Sequence, residues 1–471
     1  VFGMARCDVT PPVGIYHRMW GAATHERASG VHRPLTATAL VFRALGEPAP
    51  SETEQVVVAN DHCLLWAREM DALREAVCRQ TGLAPEQFVA AFSHSHSAAL
   101  MGLEREHLPG GELIRPYLKT LGEQITQIVR EARANVRPTT ISYALGRCPM
   151  AGNRDFWDAD SHQWVCGFNP QGPSDDTVLV AQVSDSAQQR LATVMNYACH
   201  PTTLAWQNTL ISPDFVGAMR ETVETVTGLP CIFLQGASGD LGPRDGYVGD
   251  PAVADRNGRQ LGYAALSALE ALPPPQTQFE YAGPVVSGAT LGTWEHVPLS
   301  PEEQEAKSHW RLRRWKLDLD YRPGIPTREG AEAERARWQA EEQAALKAGD
   351  NGKARDAHAM VERMERWLMR ISVLPPGSTF PLPITLWQMG DAFWLAVEGE
   401  HYQLLQSSLR ARFPGVPIVV MTLANGSRVA YLPRADTYGK GLYQESIAIL
   451  APGSLERVID VVGEQIAAWS G

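Results

Sequence analysis

FVAAFSHSHS, residues Phe88–Ser97, is the stretch that decides how the chain folds. Its apolar run predicts a buried strand that ends in His-Ser-His. Because successive side chains of a strand point to opposite faces, His94 and His96 are expected on the same face. Open α/β sheets place their chemistry at the carboxyl ends of strands, and zinc favours imidazole nitrogen. The two histidines are therefore candidates for metal binding, the alternative being that both hydrogen-bond to neighbouring loops.

The composition is that of a globular protein, with 471 residues, 44% hydrophobic and 20% charged. This length suits one large domain or two. A net charge of −11 argues against nucleic acid as a partner, because phosphate binding needs a basic face. No apolar run approaches the roughly 20 residues of a membrane-spanning helix, so we expect no transmembrane segment.

The seven cysteines are scattered and form no CxxC pair. This spacing predicts neither a disulfide framework nor a zinc ribbon. It favours a reducing, cytoplasmic location, and a secreted or periplasmic location stays open if a signal peptide was removed before Val1.

Alternating strand and helix patterns predict an α/β fold with a mixed β-sheet core flanked by helices. Residues 55–60 read as a strand, residues 66–80 have the spacing of an amphipathic helix, and the strand at Phe88 follows. We expect one catalytic domain over residues 1–471. Within it, residues 301–370 are rich in Glu, Arg, Ala and Trp and predict an inserted helical arm of two or three helices. Its charge indicates a solvated face, with a lid over the site as the alternative.

Four other polar segments follow predicted strands and carry chemically useful side chains. His200 precedes a proline just beyond a strand, and Asp240 lies in a Gly-rich loop. Glu400 follows the buried strand predicted at residues 392–397, and Tyr431 follows the last apolar strand. Each has a structural alternative: hydrogen bonding for the histidine, helix capping for the glutamate, loop bracing for the aspartate and packing for the tyrosine. Together they are typical of a metal-hydrolase pocket.

Five sequence blocks occur in the order found in the neutral (non-lysosomal) ceramidases, which this chain resembles. They are Ala91–Ser97 (AFSHSHS), Asn196–Thr202 (NYACHPT), Gly239–Pro243 (GDLGP), Gly399–Glu400 (GE) and Leu423–Asn425 (LAN). The opening segments Met4–Pro12 and Gly30–Leu35 are similar to that family too. The resemblance covers most of the chain except the segment 301–370, and it implies the fold of the family's catalytic domain.

The resemblance also implies a zinc-dependent hydrolase that cleaves an amide (N-acyl) bond by attack of a metal-bound water. Matched residue by residue, one zinc ion per chain is expected on His94, His200 and Glu400. The family's tyrosine ligand matches Tyr431 by its spacing after the LAN block.

Three further residues match positions that act on the substrate in that family. His96 corresponds to the second histidine of the HTH block and is expected near the metal water, where it can move a proton to the leaving group. Arg154 and Tyr443 match residues that line the pocket and stabilise the tetrahedral oxyanion.

Three departures separate the chain from the ceramidases. Gly242 stands where the family has a serine that contacts the lipid head group, no counterpart of the C-terminal β-sandwich domain is evident, and segment 301–370 is unmatched. We therefore expect a small-molecule or lipid-like substrate other than ceramide itself. An ester or a glycoside is the alternative substrate, and a non-catalytic binding protein is the alternative class. The sequence leaves the oligomeric state open.

Overall fold

The computed structural model describes residues 1–48 and 51–470 of the protein. Its helices are α1 (Ala67–Thr81), α2 (Ile114–Ala134), α3 (Phe215–Thr227), α4 (Pro251–Glu270), α5 (Pro301–Ala306), α6 (Arg328–Lys347), α7 (Asn351–Ile371), α8 (Leu404–Arg412), α9 (Tyr443–Ile447) and α10 (Ser454–Ser470). Its strands are β1 (Phe2–Asp8), β2 (Gly30–Val31), β3 (Thr36–Phe42), β4 (Gln55–Asn60), β5 (Phe88–Phe92), β6 (Thr139–Arg147), β7 (Ala151–Asn153), β8 (Asp155–Asp158), β9 (Gln163–Cys166), β10 (Thr177–Asp185), β11 (Arg190–Tyr197), β12 (Leu210–Ile211), β13 (Cys231–Gln235), β14 (Leu241–Pro243), β15 (Thr277–Val286), β16 (Thr290–Pro298), β17 (Trp310–Asp320), β18 (Thr379–Met389), β19 (Ala392–Val397), β20 (Glu400–His401), β21 (Ile418–Met421) and β22 (Tyr431–Leu432).

Three four-stranded sheets form the frame, with strand orders β1-β3-β4-β5, β13-β11-β10-β6 and β17-β18-β19-β21. Each sheet has one parallel pair at an edge, and its other pairs are antiparallel. A helix connects the two strands of each parallel pair, α1 in the first sheet, α3 in the second and α8 in the third. Parallel neighbours need such a crossover. The predicted mixed-sheet α/β fold is confirmed.

The inner faces of the three sheets pack against one another in a common central core. Side chains from all three sheets meet there, namely Leu40, Phe42, Val57 and Val89 with Leu179, Val194, Ile232 and Leu234 and with Trp387, Trp394, Val419 and Met421. Burying each large apolar side chain contributes roughly 1.5–3 kcal/mol. The sheets therefore hold one another in place, and the ends of their strands are fixed relative to each other.

Helices cover the outer face of each sheet, so the central strands are buried on both sides. In β5, Val89 and Ala91 face the common core, while Phe88, Ala90 and Phe92 face the outer layer with α1 and α2. This explains why FVAAF is an uninterrupted apolar run, the usual pattern of a doubly covered strand.

The segment 301–370 is helical only in part, which corrects the sequence prediction. Helices α6 and α7 form an antiparallel pair, but Trp310–Asp320 is strand β17, paired with β18 along its full length. In β17 the apolar residues Trp315, Leu317 and Leu319 recur every second position and pack into the core of the third sheet. The high charge of the intervening residues concealed this period of two.

No helix within residues 1–48 and 51–470 combines the length and the hydrophobicity that crossing a bilayer requires. All seven cysteines are free thiols, and five of them are buried. No disulfide therefore contributes to holding the sheets together, and the core packing does so.

Candidate metal centre

The candidate metal centre forms where strand ends of the three sheets meet. His94 follows β5 of the first sheet, and His200 follows β11 of the second. Glu400 opens β20, shortly after β19 of the third sheet, and pairs in register with Tyr431 of β22. The fold thus brings together the four residues that the sequence predicted as metal ligands.

The side-chain atoms of these residues converge. Nε2 of His94 and Nε2 of His200 lie 3.3 and 3.5 Å from Oε2 of Glu400. One ligand atom from each of the three residues falls within 4.8 Å of the others, and all three residues are buried. The hydroxyl of Tyr431 lies 3.5 Å from Nε2 of His200. Atoms at such separations can surround one ion.

Backbone carbonyls orient both imidazole rings. Nδ1 of His94 lies 2.7 Å from the carbonyl oxygen of Cys63, and Nδ1 of His200 lies 3.2 Å from that of Ser238. A carbonyl only accepts, so this network assigns the proton to Nδ1 in each ring. Nε2 then presents its lone pair to the centre, the orientation that second-shell carbonyls impose on metal-ligating histidines.

The charge of the centre fits a cation. Oε2 of Glu400 is buried and has no hydrogen-bond partner among residues 1–48 and 51–470. Burial raises the pKa of Glu400, but the charge of His94 and the polar groups of His94 and Tyr431 beside the carboxylate lower it overall. The carboxylate is therefore ionised, and a proton on His94 or a metal ion must balance it. Burial lowers the pKa of His200, as do the charges of Arg154 and His94, which keeps this ring neutral for ligation.

His96 stands beside the centre. Its Nε2 lies 3.4 Å from Nε2 of His94, and its ring centroid is 5.3 Å from that of His200. The ring is half-buried and packs at 5.1 Å against Trp20. Burial lowers the pKa of His96, and the charges of His94 and Arg154 act in the same direction.

Arg154 and Tyr443 also reach this region. Nε and Nη2 of Arg154 donate to the carbonyl of Gly239 at 3.1 and 2.7 Å, and Nη2 donates to the Tyr431 hydroxyl at 2.8 Å. The Tyr247 side chain also lies close enough to the guanidinium group for Arg154 to affect its pKa. The ring of Tyr443 is 6.0 Å from that of Tyr431 and 45% exposed. Tyr443 therefore lies at the rim of the centre, while Arg154 is buried beside it.

Two asparagines of the sequence blocks are structural. Nδ2 of Asn196 donates to the carbonyl of Leu234 at 2.9 Å within the second sheet and to the carbonyl of Val420 at 2.8 Å, and the second contact joins the second sheet to the third. Asn425 accepts from the amide of Ala90 in β5 at 2.8 Å. These two residues tie strand ends of different sheets together and so fix the geometry of the centre.

The Gly-rich loop is braced in the same way. Asp240 accepts the backbone amide of Gln403 at 2.7 Å, which agrees with the structural alternative for this residue. At Gly239 a Cβ atom would lie 2.6 Å from the carbonyl oxygen of Glu400, so the loop can approach β20 only with glycine there. At Gly242 a Cβ atom would meet Thr202 and Arg154 only at 3.7 and 3.8 Å, so packing does not demand glycine at the serine position.

Sequence reasoning missed four residues of this region. Cys63 orients His94, Trp20 packs on His96, and Ser427 donates to Oε1 of Glu400 at 3.4 Å. Arg370 of α7 is buried close enough for the charge of Glu400 to affect its pKa. Cys63 could have been found, because it follows β4, the parallel neighbour of β5. No sequence pattern marks the other three.

Comparison with known proteins defines the fold. The sequence matches no protein-family model and no curated protein. Among solved structures, the chain is similar to neutral ceramidase from Pseudomonas aeruginosa, with a TM-score of 0.64 and 15% identity over 99% of this chain and 74% of that one. A ceramidase complexed with C2 gives a TM-score of 0.65 at 15% identity, over 100% of this chain and 75% of the other. The fold is ceramidase-like. At this identity the likeness extends to the architecture alone.

Proposed function

We propose that the protein is a zinc-dependent hydrolase that cleaves an amide (N-acyl) bond in a substrate other than ceramide. The single observation that carries the proposal is the convergence of two imidazole Nε2 atoms on an unpartnered, buried carboxylate oxygen of Glu400. A buried carboxylate oxygen that faces two imidazole nitrogens needs a balancing positive charge, and a metal ion held by all three groups supplies it. The ceramidase-like fold supports the choice of amide chemistry.

His94, His200 and Glu400 would hold the ion, with Tyr431 as the fourth protein ligand. A nitrogen and oxygen donor set of this kind suits zinc. Cys63, His94 and His96 form a second cluster of ligand atoms. It is the poorer candidate, because Nδ1 of His94, the atom nearest the Cys63 sulfur, already donates to a carbonyl. When bound, zinc supplies a Lewis acid that lowers the pKa of water towards neutrality and polarises a carbonyl group.

The chain's own residues supply the remaining chemistry. His96 is neutral and half-buried, so it can take up a proton and deliver it to the leaving nitrogen. Arg154 has five N–H groups, and its guanidinium group would donate to the oxygen that gains charge in the transition state. Tyr443 would donate to the same oxygen from the rim. One such donor is typically worth about 10²–10³ in rate.

The test combines metal analysis with activity. Purified protein should contain one zinc ion per chain, and His94→Ala, His200→Ala and Glu400→Gln should each lose both the zinc and the hydrolysis of N-acyl substrates. His358→Ala is a matched control, since that histidine pairs with Glu342 within the α6–α7 hairpin. A metal-free protein with full turnover would refute the proposal.

A glycoside or ester remains the second candidate substrate, and one observation favours a sugar. Trp20 packs against both His96 and Trp206, and Trp206 is 37% exposed. Aromatic faces beside a reactive group are suited to the apolar faces of sugar rings. The tryptophans of segment 301–370 do not serve this purpose, because they pack into the cores. Assays of N-acyl, ester and glycoside substrates side by side distinguish the candidates.

A further inference from the structure

A cavity of about 520 Å³ lies beside the candidate metal centre. Its wall is formed by the first turn of α1, the segment around Leu103, the last turn of α7 and the loop at Ser427. Ser427 also donates to Oε1 of Glu400 at 3.4 Å, so one residue of the cavity wall contacts a residue of the centre. A volume of this size suits a small molecule. Leu103, Leu368 and Met369 give the wall an apolar part.

Arg370 is the unusual group in this wall. Its residue is 8% exposed, and its Nε has no hydrogen-bond partner within the described part of the chain. No ion pair formed by residues 1–48 and 51–470 includes its guanidinium group. Burial lowers the pKa of Arg370, and the charge of Glu400 offsets this only partly. Its Cζ lies 5.7 Å from the centre of the Trp367 ring, a weaker partner than a carboxylate. Burying a cation without an anionic partner costs several kcal/mol, so an anionic ligand is the natural counterpart.

The other charges of the wall already have partners. They pair as Arg428 with Glu398, Arg115 with Glu106, Arg328 with Glu332 and Glu104 with Arg105, while Glu69 accepts the amide of Leu103 and Arg68 is exposed. Arg370 is therefore the charge of the wall that a ligand is best placed to neutralise.

Helix α7 holds Arg370 at this position. Glu362 of α7 forms a buried ion pair at 2.9 Å with Arg105, and Arg366 donates to the carbonyl of Met19 at 2.6 Å. Arg366 and Arg370 are four residues apart and thus on the same face of the helix. The positive charge of Arg366 contributes to lowering the pKa of both His96 and Arg370. The helix therefore adds positive charge beside the centre, near His96.

We propose that the substrate carries an anionic group, a carboxylate or a phosphate, that binds Arg370 in this cavity while the scissile bond lies at the metal centre. The planar guanidinium fork binds either group through two parallel hydrogen bonds. The apolar wall then receives the hydrocarbon part of the same molecule. This substrate class rests on the proposed function. It also gives a role to α7, which lies in the segment that has no match in the ceramidase sequence pattern.

Binding of simple probes tests the anion site without any reaction. Calorimetry compares hexanoate, hexyl phosphate and neutral hexanamide on the zinc-loaded protein, on Arg370→Gln, on Arg370→Lys and on the control Arg355→Gln, an exposed arginine of the same helix. We expect the better anion to bind about 10- to 100-fold more tightly than hexanamide. Arg370→Gln should abolish this preference, Arg370→Lys should keep part of it, and Arg355→Gln should not change it. Comparing hexanoate with hexyl phosphate shows whether the site prefers a carboxylate or a phosphate.

Three results would overturn the inference. One is equal binding of anions and hexanamide by the unaltered protein, a comparison that needs no variant. Another is an anion preference that survives in folded Arg370→Gln. The third is anion binding that is lost in His94→Ala but kept in Arg370→Gln, which would place the anion on the metal.

Kinetics separate this inference from the proposed function. N-hexanoylglycine should be hydrolysed with a kcat/KM about 10- to 100-fold above that of N-hexanoylglycinamide, and the ratio should approach one in Arg370→Gln. Equal rates for both compounds would reject the anionic substrate and leave the hydrolase standing. Anion binding through Arg370 without hydrolysis of any amide would reject the hydrolase and leave the anion site standing.

Discussion

The ion pair between Arg105 and Glu362 is expected to anchor helix α7 to the body of the protein, and Glu362→Gln tests this. The pair spans 2.9 Å, and its two side chains are 1% and 7% exposed. Burial raises the pKa of Glu362, but the charges of Arg105 and Arg366 lower it overall. The pair is thus ionised at neutral pH.

The expected loss of stability depends on the contacts that Arg105 keeps when Glu362 is replaced. Removing one partner of a buried ion pair typically costs 3–5 kcal/mol, because the other charge stays buried. Arg105 keeps its contact with Glu104 and lies 6.0 Å above the ring of Tyr16. We therefore expect Glu362→Gln to lower the free energy of unfolding by about 3 kcal/mol, the lower end of that range.

Urea unfolding followed by circular dichroism measures this loss, and a double-mutant cycle isolates the pair. The variants are Glu362→Gln, Arg105→Met and the combination of the two. The combination should cost about 2 kcal/mol less than the sum of the single losses, because no unpaired charge is left buried. Arg355→Gln breaks an exposed pair with Asp356 on the same helix and should cost less than about 1 kcal/mol.

Additive single losses, or losses below about 1 kcal/mol for both single variants, would refute the anchoring role of the pair. In that case α7 would be held by apolar packing of residues such as Trp367, which is 2% exposed. The position of Arg370 would then depend on that packing.

Three further outcomes are expected. Burial lowers the pKa of His17, His62 and His401 to about 4 each, against about 6.5 when unfolded. Their contribution to the free energy of unfolding is complete above pH 6.5 and declines as the pH falls towards 4. At pH 5 the loss is about 2 kcal/mol per histidine. Equal urea midpoints at pH 7 and pH 5 would contradict this expectation. Gly239→Ala should weaken zinc binding at least about tenfold in a chelator competition, because the new Cβ would lie 2.6 Å from a carbonyl oxygen of β20. Gly242→Ala is the control. Equal zinc affinities of the two variants would show that the loop can shift to accommodate the Cβ. Removing zinc with a chelator should lower the melting temperature in calorimetry, since an ion at 1,000 times its Kd stabilises the folded state by about 4 kcal/mol, and an unchanged temperature would argue against a bound ion.

Local patterns in the sequence were sufficient for most strands of the frame, and the resemblance to the ceramidases supplied the candidate ligands. The run at Phe88 and the polar residues after it depend on period and position, which are properties of neighbouring residues. The same reasoning went wrong at Trp310–Asp320, where strand β17 is defined by pairing with β18. The charged residues of β17 concealed the alternation of its apolar residues. That alternation identifies a strand only once the pairing with β18 is known.

By itself, then, the sequence determined the mixed α/β frame, because strand period and the polar residues at strand ends are local properties. The resemblance to the neutral ceramidases added the expectation that His94, His200, Glu400 and Tyr431 bind a metal ion. Only the tertiary structure decided how the imidazoles are oriented, that Oε2 of Glu400 is unpartnered and that Arg370 faces a cavity beside it. These features arise where three sheets and an added helix pack together. The distance and burial of groups far apart in the chain are set by that packing and leave no mark in the local pattern.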